Sequence, residues 1–350
     1  MKLILRLTLI CLITSVYAVS WTPLDDSSTG ASDVTILSAS DNETVIEFTI
    51  DGFTTNTATV NGEEMNIPQL IDGAYLLEAG APELQKLATS IIIPNTDQMM
   101  VEVVSSEFRE YSQVLVAPSK GNLTRDIDPS TVPYEFGNVY TVDAFYPGNI
   151  AELGDPYIVR DFRGQAVRVF PLQYNPITKT LRVYTQVTVR VSSTGLVGEN
   201  PLYSAELTQM NTEFKNMYQR HFSNYDNIMN TRYDVLDEAG TMLIICYSAF
   251  MDAMQPLVEW KNMRGLKTEL VDIADVGSTS SAISQFVEDY YYEHNLAYLL
   301  LIGDISQMPS PMVSGAASDP TYGYIEGNDS YPEVMVGRFS AENTSHVETQ

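Results

Sequence analysis

Alternating apolar and polar residues characterise the first half of the chain. The alternation is clearest at residues 44–50, 101–104 and 181–191, and a period of two is typical of β-strands with one buried face. Asn-Gly and Asp-Gly pairs separate these runs at short intervals, as in antiparallel hairpins. The chain up to about residue 193 is therefore predicted to be an all-β sandwich.

The period changes after a loop at residues 195–201. Apolar residues then recur at spacings of three and four, which predicts an amphipathic helix over residues 204–222. The polar stretch that follows, residues 223–237, is predicted to be a linker. Within the β-rich half, one short helix is also predicted over residues 83–88, because Pro82 suits the start of a helix.

Strand and helix patterns alternate in the last third of the chain. The expected order is strand, helix, strand, helix, strand, at residues 241–247, 250–263, 266–271, 280–293 and 297–302. Such a βαβαβ order predicts a parallel sheet with helices on its faces. Ligand sites of such sheets lie at the carboxyl ends of the strands, where Gly303 and Asp304 stand.

The first eighteen residues resemble an export signal. Lys2 and Arg6 precede an apolar stretch, and small residues lead up to a predicted cleavage between Ala18 and Val19. A membrane anchor is the alternative, but the apolar run is shorter than the ~20 residues that span a bilayer. We therefore expect a secreted, extracellular or cell-surface protein with no membrane span.

The net charge of the chain bears on which classes of binding partner are expected. Among 350 residues there are 45 Asp and Glu against 19 Lys and Arg, so the formal net charge is −26. No cluster of basic residues offers a footprint for phosphates, and a nucleic-acid partner is not expected. An acidic surface instead suits solubility and divalent cations.

Four segments of the last third of the chain carry motifs of a known family, namely residues 257–269, 298–304, 318–323 and 327–340. They resemble the start of the catalytic domain in peptidase family C25, the gingipain-type cysteine peptidases. Residues 143–148 and 155–164 are similar to the propeptide that precedes that domain. The resemblance implies a multidomain chain in which an all-β, sandwich-like propeptide is followed by an incomplete α/β, caspase-like subdomain.

The resemblance also implies a domain division and a function. Residues 1–18 would be the signal peptide, 19–232 the propeptide, and 233–350 the N-terminal part of the catalytic domain. The chain would then be the N-terminal portion of a secreted cysteine endopeptidase zymogen that acts on protein or peptide substrates. Its own propeptide would serve as an intramolecular inhibitor.

The catalytic side chains are expected elsewhere. In the family the Cys and His of the dyad lie in an Ala-Cys and a His-Gly segment, which would follow residue 350, so this fragment alone should be inactive. Cys246 sits inside an apolar strand and is predicted to be a core residue. Solvated surface positions are predicted for the histidines, which are His221, His294 and His346. The alternative is a complete, non-catalytic secreted protein that binds calcium or another surface partner.

A calcium site is predicted from acidic residues near a strand end. Asp329, Tyr331 and Glu333 alternate, so an extended backbone would place them on one face, aimed at the same point as Asp304. Oxygen ligands without His or thiolate favour Ca²⁺. The resemblance implies a structural calcium held by the side chains of Asp304, Asp329 and Glu333 and by the carbonyls of Glu326 and Tyr331. A solvated acidic loop is the alternative.

A maturation site is predicted in the polar linker. Arg232 is the only basic residue between residues 224 and 238, and it precedes Tyr233. Some members of the family are cleaved at an Arg-Tyr junction at a comparable distance before the first strand. Cleavage between Arg232 and Tyr233 is therefore expected, the alternative being that Arg232 only offsets Asp226 and Asp234.

Overall fold

A computed structural model describes residues 20–24, 30, 32–203, 209–230, 236–327 and 329–350. The predicted signal peptide, 1–18, and its cleavage site between Ala18 and Val19 lie outside these residues. We refer to residues 20–203 as the β-rich region, to residues 209–230 as the connecting segment and to residues 236–350 as the α/β region.

The β-rich region consists mainly of antiparallel strands. In chain order they are β1 Ser20–Pro23, β2 Ser32–Ala39, β3 Glu43–Ile50, β4 Gly52–Val60, β5 Glu63–Gln69, β6 Ala74–Tyr75, β7 Gln85–Ile92, β8 Asp97–Tyr111, β9 Ala151–Leu153, β10 Tyr157–Val159, β11 Phe162–Val169, β12 Leu172–Asn175 and β13 Thr180–Val197. Two short 3-10 helices, Pro129–Thr131 and Asn138–Thr141, lie in the long connection between β8 and β9.

Two five-stranded sheets carry the core of this region. One has the order β12-β13-β3-β2, with β8 paired along the other side of β13, and the second has the order β10-β11-β7-β6, with β9 beside β11. Strand β3 shows why the two sheets pack face to face. Its buried residues alternate with half-exposed ones, so one face of the strand is apolar and covered. Apolar side chains from both sheets meet in one cluster, which includes Phe48, Ile91, Val167 and Val187. The predicted β-sandwich is confirmed.

The predicted helix over residues 83–88 is wrong. Residues from Gln85 onward form β7, which pairs with β11, and Ile91 and Ile92 are buried. The run that follows Ala88 is rich in β-branched residues, which fit a half-buried pleated surface better than a helix. Pairing along the sheet therefore outweighs the helix-start preference of Pro82.

The connecting segment is also more ordered than predicted. Its helix α1 spans Thr212–His221 rather than 204–222, and the Asn211 side chain caps it by accepting from the backbone N–H groups of residues 213 and 214. Ahead of it, β14 Gln209–Asn211 pairs in parallel with β15 Leu236–Glu238. Residues 204–208 lie outside the described part of the chain.

The first half of the predicted linker is packed rather than extended. Helix α2 spans Tyr225–Met229, and both Tyr225 and Ile228 are buried. The Asn224 side chain is fully buried, accepts from the Ile92 N–H at 2.8 Å and donates to the Ile92 carbonyl at 2.9 Å. The linker prediction therefore fails for residues 223–230.

The α/β region follows the predicted alternation closely. Its elements are β15 as above, β16 Thr241–Cys246, α3 Met251–Met263, β17 Lys267–Asp272, α4 Ile273–Val276, α5 Ser280–His294, β18 Leu296–Ile302, β19 Met312–Val313, β20 Ala316–Ala317, β21 Met335–Phe339 and α6 Thr344–Thr349. Two 3-10 helices, Ser248–Phe250 and Asp319–Gly323, complete them. Strands β17, β16, β18 and β21 form a parallel sheet in that order, as predicted.

Helices cover both faces of this sheet. On one face Leu243, Ile245, Leu299 and Leu301 pack with residues of α5, and on the other Ile244 and Cys246 are among those that pack against α3 and α6. Every residue of β16 is buried, as expected for a central parallel strand. In the part of the chain that the structure describes, no helix combines the length and the apolar character needed to cross a membrane.

Candidate functional site

The β-rich and α/β regions meet along the amino-terminal ends of strands β18 and β21. Helix α1 lies between them, and its buried Phe214 and Tyr218 join an apolar cluster with residues from both regions. The buried members of that cluster are Ile92, Phe162, Met210, Phe214, Tyr218, Phe222, Tyr225 and Ala297. Burial of aromatic area at this junction holds the two regions together through α1.

A hairpin of the β-rich region reaches the same place. Strands β10 and β11 pair antiparallel, Val159 opposite Phe162, so Arg160 and Asp161 form the two-residue turn at its tip. Phe162 is 1% exposed and meets the Tyr218 ring edge-on, at 4.9 Å between centroids. The hairpin therefore brings charged side chains to the edge of the α/β sheet.

Arg160 spans the junction. One guanidinium nitrogen, Nη1, donates to the carbonyl of Leu296 at 3.5 Å and to that of Glu333 at 3.4 Å. The guanidinium carbon lies 4.6 Å from the centre of the Phe214 ring and 5.4 Å from that of Tyr291. These contacts place a positive charge between aromatic faces and backbone carbonyl oxygens, both of which favour a cation.

Asp161 lies beside this charge. Its carboxylate accepts from the Tyr218 hydroxyl at 2.7 Å and lies 3.8 Å from the Arg160 guanidinium. Burial raises the pKa of Asp161, and nearby Glu326 adds to the rise, while Arg160 and Tyr218 oppose it. The junction therefore holds an ionisable carboxyl whose charged form is disfavoured by its surroundings.

The acidic loop at residues 326–333 contacts the same edge. The Glu333 carboxylate is buried and accepts from the N–H groups of Ile325 at 2.8 Å and Glu326 at 3.1 Å. Burial raises its pKa, these two hydrogen bonds lower it, and the charges of Asp329 and Glu326 raise it further. The Asp329 carboxylate accepts from the Tyr331 N–H at 2.9 Å, and the backbone bends at Asp329 rather than running straight. The extended stretch that the alternation requires is therefore not formed.

Asp304 does not join this loop. It follows β18 at the carboxyl edge of the sheet, where its carboxylate accepts from Ser340 at 3.0 Å. Glu333 precedes β21, and the parallel register, Tyr298 opposite Met335, places it at the amino edge. The length of β18, about 20 Å for six steps, separates the two edges. The prediction that Asp304 shares a site with Asp329 and Glu333 is wrong, because a chain leaving one parallel strand must cross the sheet before entering the next.

The remaining predicted ligands lie on one loop. Glu326, Asp329, Tyr331 and Glu333 are within eight residues of one another, and their carboxylate and carbonyl oxygens suit Ca²⁺ in chemistry. Among the described residues, however, no group of three or more His, Cys, Asp and Glu side chains has the geometry of a metal site. Calcium binding by these four residues stays a prediction, and Asp304 does not fit the set.

Cys246 is a core residue, as predicted. It is fully buried in β16, and its Sγ lies 3.4 Å from the Tyr247 carbonyl oxygen. Burial, with a contribution from Asp272, raises the pKa of the thiol to about 12. A thiol held in this protonated state is a poor nucleophile at neutral pH.

The contacts of the three histidines involve residues other than Cys246. His221 is exposed and shares a hydrogen bond of 2.7 Å with the Tyr157 hydroxyl, and His346 is exposed beside Asn343. His294 differs from the prediction because it is half-buried, with its ring 4.3 Å from that of Tyr290. None of these contacts forms a Cys-His pair in the described part of the chain.

The sequence does not indicate the partners of two charged groups, Asp319 and Arg160. Asp319 accepts two hydrogen bonds of 2.7 Å from Arg338, and Arg338 also donates to the carbonyls of Gly303 and Met308. Burial opposes ionisation of Asp319, but the bonds from Arg338 and Ser310 outweigh it and lower the pKa. Arg160 was noticed only as part of the stretch 155–164, since nothing local indicates its distant acceptors.

The predicted maturation site, Arg232 and Tyr233, lies outside the described residues. Its neighbours on both sides are held in place, by the packing of α2 before it and by the pairing of β15 after it. The described residues therefore leave residues 231–235 as the span between two fixed elements.

Family models match both halves of the chain. The model Propeptide_C25 matches residues 26–229, and the model described as Peptidase family C25 matches residues 235–350. The boundary between the two matches falls within the span that contains Arg232.

Individual relatives agree with these matches. Gingipain R2 of Porphyromonas gingivalis is 40% identical over 323 residues, which is 91% of this chain and 43% of the relative. Gingipain R1 of the same organism is 41% identical over 313 residues, 88% of this chain and 31% of the relative. The chain thus spans less than half the length of these relatives.

A solved structure supports the fold of the larger part. It is described as a complex of Porphyromonas gingivalis RgpB pro- and mature domains, and its matched chain is 40% identical with a TM-score of 0.51. The match covers 55% of this chain and 97% of the matched chain.

Proposed function

The chain belongs to peptidase family C25, and on that premise we propose that it is the N-terminal part of a secreted cysteine endopeptidase precursor. The observation that carries the proposal is the match of residues 26–229 to the propeptide model and of residues 235–350 to the peptidase model of this family, together with 40% identity to gingipain R2. We place the propeptide at residues 19–232 and the start of the catalytic domain at residues 233–350.

The reaction we propose is hydrolysis of peptide bonds in protein or peptide substrates. A thiolate attacks the peptide carbonyl, an imidazole donates a proton to the leaving amine, and water hydrolyses the acyl-enzyme. Cys246 is unsuited to the first step because it is buried and its thiol pKa is about 12. We therefore assign the catalytic Cys and His to sequence beyond residue 350, so that residues 1–350 alone are inactive.

We propose that the propeptide keeps the precursor latent as an intramolecular inhibitor. Support comes from the extent of its junction with the α/β region, where α1 and the β10–β11 hairpin bury aromatic side chains and Arg160. Covalent linkage adds a high effective concentration, which favours the docked state until the chain is cut. Cleavage between Arg232 and Tyr233 would remove that advantage.

We also propose that the loop with Glu326, Asp329, Tyr331 and Glu333 binds a structural Ca²⁺. Its oxygen-only donors and its three carboxylates support this. Burial is the main cause that raises the pKa of Glu333, with the charges of Asp329 and Glu326 adding to the rise, and a bound cation would favour the ionised carboxylate against both. Asp304 is left out of the proposed site because of its place at the opposite sheet edge.

The test is expression of the complete precursor with and without Arg232→Ala. We expect the wild-type precursor to mature to a chain beginning at Tyr233 and to gain peptidase activity as it does so. Arg232→Ala should stay uncut and latent, while Arg220→Ala, which removes an exposed arginine of α1, should mature normally. A mature chain with another first residue, or an uncut precursor with full activity, would contradict the proposal.

A further inference from the structure

The turn of the β10–β11 hairpin and the first three residues of β11, together residues 160–164, contact several segments outside their own sheet, and we refer to these five residues as the hairpin tip. Arg163 is fully buried and donates to the carbonyls of Pro94, Asp97, Glu199 and Asn200 at 2.5–2.9 Å. These bonds fix the hairpin tip to two neighbouring segments of the β-rich region, residues 94–97 and 199–200. The tip is therefore a rigid projection.

Close packing fixes the other side of the tip. A Cβ atom at Gly164 would lie 2.5 Å from the Phe222 ring and 2.9 Å from that of Tyr157, so no larger residue fits there without a shift. Phe162 packs against Tyr218, Phe222 and Tyr225. The tip is thus positioned against α1 and its neighbour α2 before it meets the α/β region.

Arg160 adopts a backbone conformation that favours glycine or asparagine. Its φ is +47°, in the left-handed region, at the first position of a two-residue hairpin turn. An arginine there is held against its own preference, and such residues persist where the surroundings determine the conformation. The side chain is 11% exposed, so its charge is largely removed from water.

The two carbonyls that Arg160 binds are neighbours across the end of a strand pair. The ladder between β18 and β21 begins at Tyr298 and Met335, and Leu296 and Glu333 each lie two residues earlier. Leu296 and Glu333 come together only when these two strands are paired in this register. One nitrogen, Nη1, donates to both carbonyls. The guanidinium therefore bridges the two strands just beyond the point where their own backbone pairing begins.

We propose that Arg160 is a latch through which the β-rich region recognises and stabilises the β18–β21 pairing of the α/β region. The inference rests on the proposed function, since it gives the propeptide a specific contact with the domain it would assist and restrain. A hairpin tip that binds carbonyls of two strands stabilises their native register and no other. Parallel pairing between residues distant in sequence is slow to form, and it gains most from such an external clamp.

Hydrogen exchange of the whole chain, followed by mass spectrometry, tests the latch. Arg160→Gly removes the guanidinium and suits the left-handed φ, so backbone strain does not confound the result. Lys179→Gly is the matched control, because Lys179 also has a positive φ, +53°, at an exposed turn between β12 and β13. We expect Arg160→Gly to speed exchange about tenfold in peptides that cover β18 and β21. Lys179→Gly should leave those peptides unchanged.

Other results would overturn the proposal. Unchanged exchange of β18 and β21 in Arg160→Gly would show that the guanidinium does not stabilise their pairing. Equal acceleration across the chain would show a general structural role. If Arg160→Gly does not fold, Arg160→Lys supplies the test, since its ammonium keeps the charge but not the planar donor geometry, and exchange should rise in β18 and β21 alone. The inhibitor role of the propeptide is tested by peptidase activity of the precursor, whereas the latch is tested by hydrogen exchange. The two proposals can therefore fail independently of each other.

Discussion

The β-rich and α/β regions each have a core of their own and share one further cluster, but their sheets are covered differently. The main β-rich cluster draws every buried member from residues 24–191. Two clusters of the α/β region are confined to residues 242–347. In the shared cluster, Ile92 and Phe162 of the β-rich region and Ala297 of the α/β region are buried together with residues of the connecting segment. The difference between the regions therefore lies in how completely each sheet is covered by its own region.

One strand from each sheet shows this difference. In β3 buried residues alternate with half-exposed ones, so its apolar face is closed by the opposing sheet. All five residues of β21 are half-buried, although parallel strands are ordinarily covered on both faces. Part of the cover at the start of β21 comes from α1 and the hairpin, because Met335 packs on the shared cluster. The α/β sheet is thus completed partly by a segment that cleavage would separate from it.

The largest test of this asymmetry removes one core side chain from each region. Phe48→Ala and Ile244→Ala each truncate a fully buried side chain, and each should destabilise its own region by about 2–5 kcal/mol. If the dependence is unequal, Phe48→Ala will also speed hydrogen exchange in β18 and β21. Ile244→Ala should leave exchange in β3 and β13 unchanged.

Exposed substitutions in each region serve as controls for that experiment. Thr35→Ala in β2 and Glu259→Ala in α3 should change neither pattern, because surface positions rarely matter by more than ~0.5 kcal/mol. If each core substitution speeds hydrogen exchange in both regions, the two regions form one cooperative unit. If each speeds exchange only in its own region, they are independent.

A second test loosens the connecting segment. Asn224→Ala leaves the buried N–H and carbonyl of Ile92 without their partner and also removes a 3.2 Å bond to Thr44. We expect a loss of about 3 kcal/mol and faster proteolysis at residues 231–235, because α2 would no longer be held. Urea unfolding and limited proteolysis measure the two effects.

Asn230→Ala is the matched control, since Asn230 is exposed at the end of the same helix. Proteolysis of Asn224→Ala at the wild-type rate would show that the packing of α2 does not govern access to the Arg232 site.

The sequence predicted elements where one local pattern decides the outcome. The run at residues 241–247 is apolar at nearly every position, which suits a buried parallel strand, and helix α5 matches its predicted bounds to within one residue. The helix over residues 83–88 failed because strand pairing with β11, distant in sequence, overrode a local signal from Pro82. Local patterns predict helices and strands well. They do not predict where pairing with a strand distant in sequence overrides the local preference.

The candidate site was harder to predict for the same reason. Residues 329–333 carry the right ligand chemistry, but Asp304, which shares that chemistry, lies at the opposite edge of the sheet. The parallel topology, which the sequence did predict, already implied opposite edges. Arg160 has no local sign of its role, because its acceptors lie 136 and 173 residues away in the chain.

A third test concerns the proposed calcium loop. Saturating Ca²⁺, at roughly 30-fold above Kd, should stabilise the α/β region by about 2 kcal/mol. Asp329→Ala should abolish this gain, because it removes one of the proposed ligands. Asp304→Ala should retain the gain, since its carboxylate lies at the opposite edge and bonds to Ser340. Thermal melts with calcium and with chelator measure the difference. Equal melting in both conditions would exclude structural calcium, and loss of the gain in Asp304→Ala would restore Asp304 to the site.

The smallest expected effect is a pH dependence at the junction. Burial is the main cause that raises the pKa of Asp161 above its ordinary value of 3.8, with Glu326 adding to the rise and Arg160 and Tyr218 opposing it. Between 3.8 and the raised value the folded state binds more protons than the unfolded state, so stability falls as pH rises through that window. Asp161→Asn keeps an acceptor for the Tyr218 hydroxyl but does not titrate. Relative to wild type, this variant should therefore gain stability as the pH rises above 3.8 and hold a constant advantage at neutral pH, measured by urea unfolding at each pH. A wild-type chain that loses stability relative to Asp161→Asn as the pH falls would mean that the bonds from Arg160 and Tyr218, rather than burial, dominate at this carboxyl.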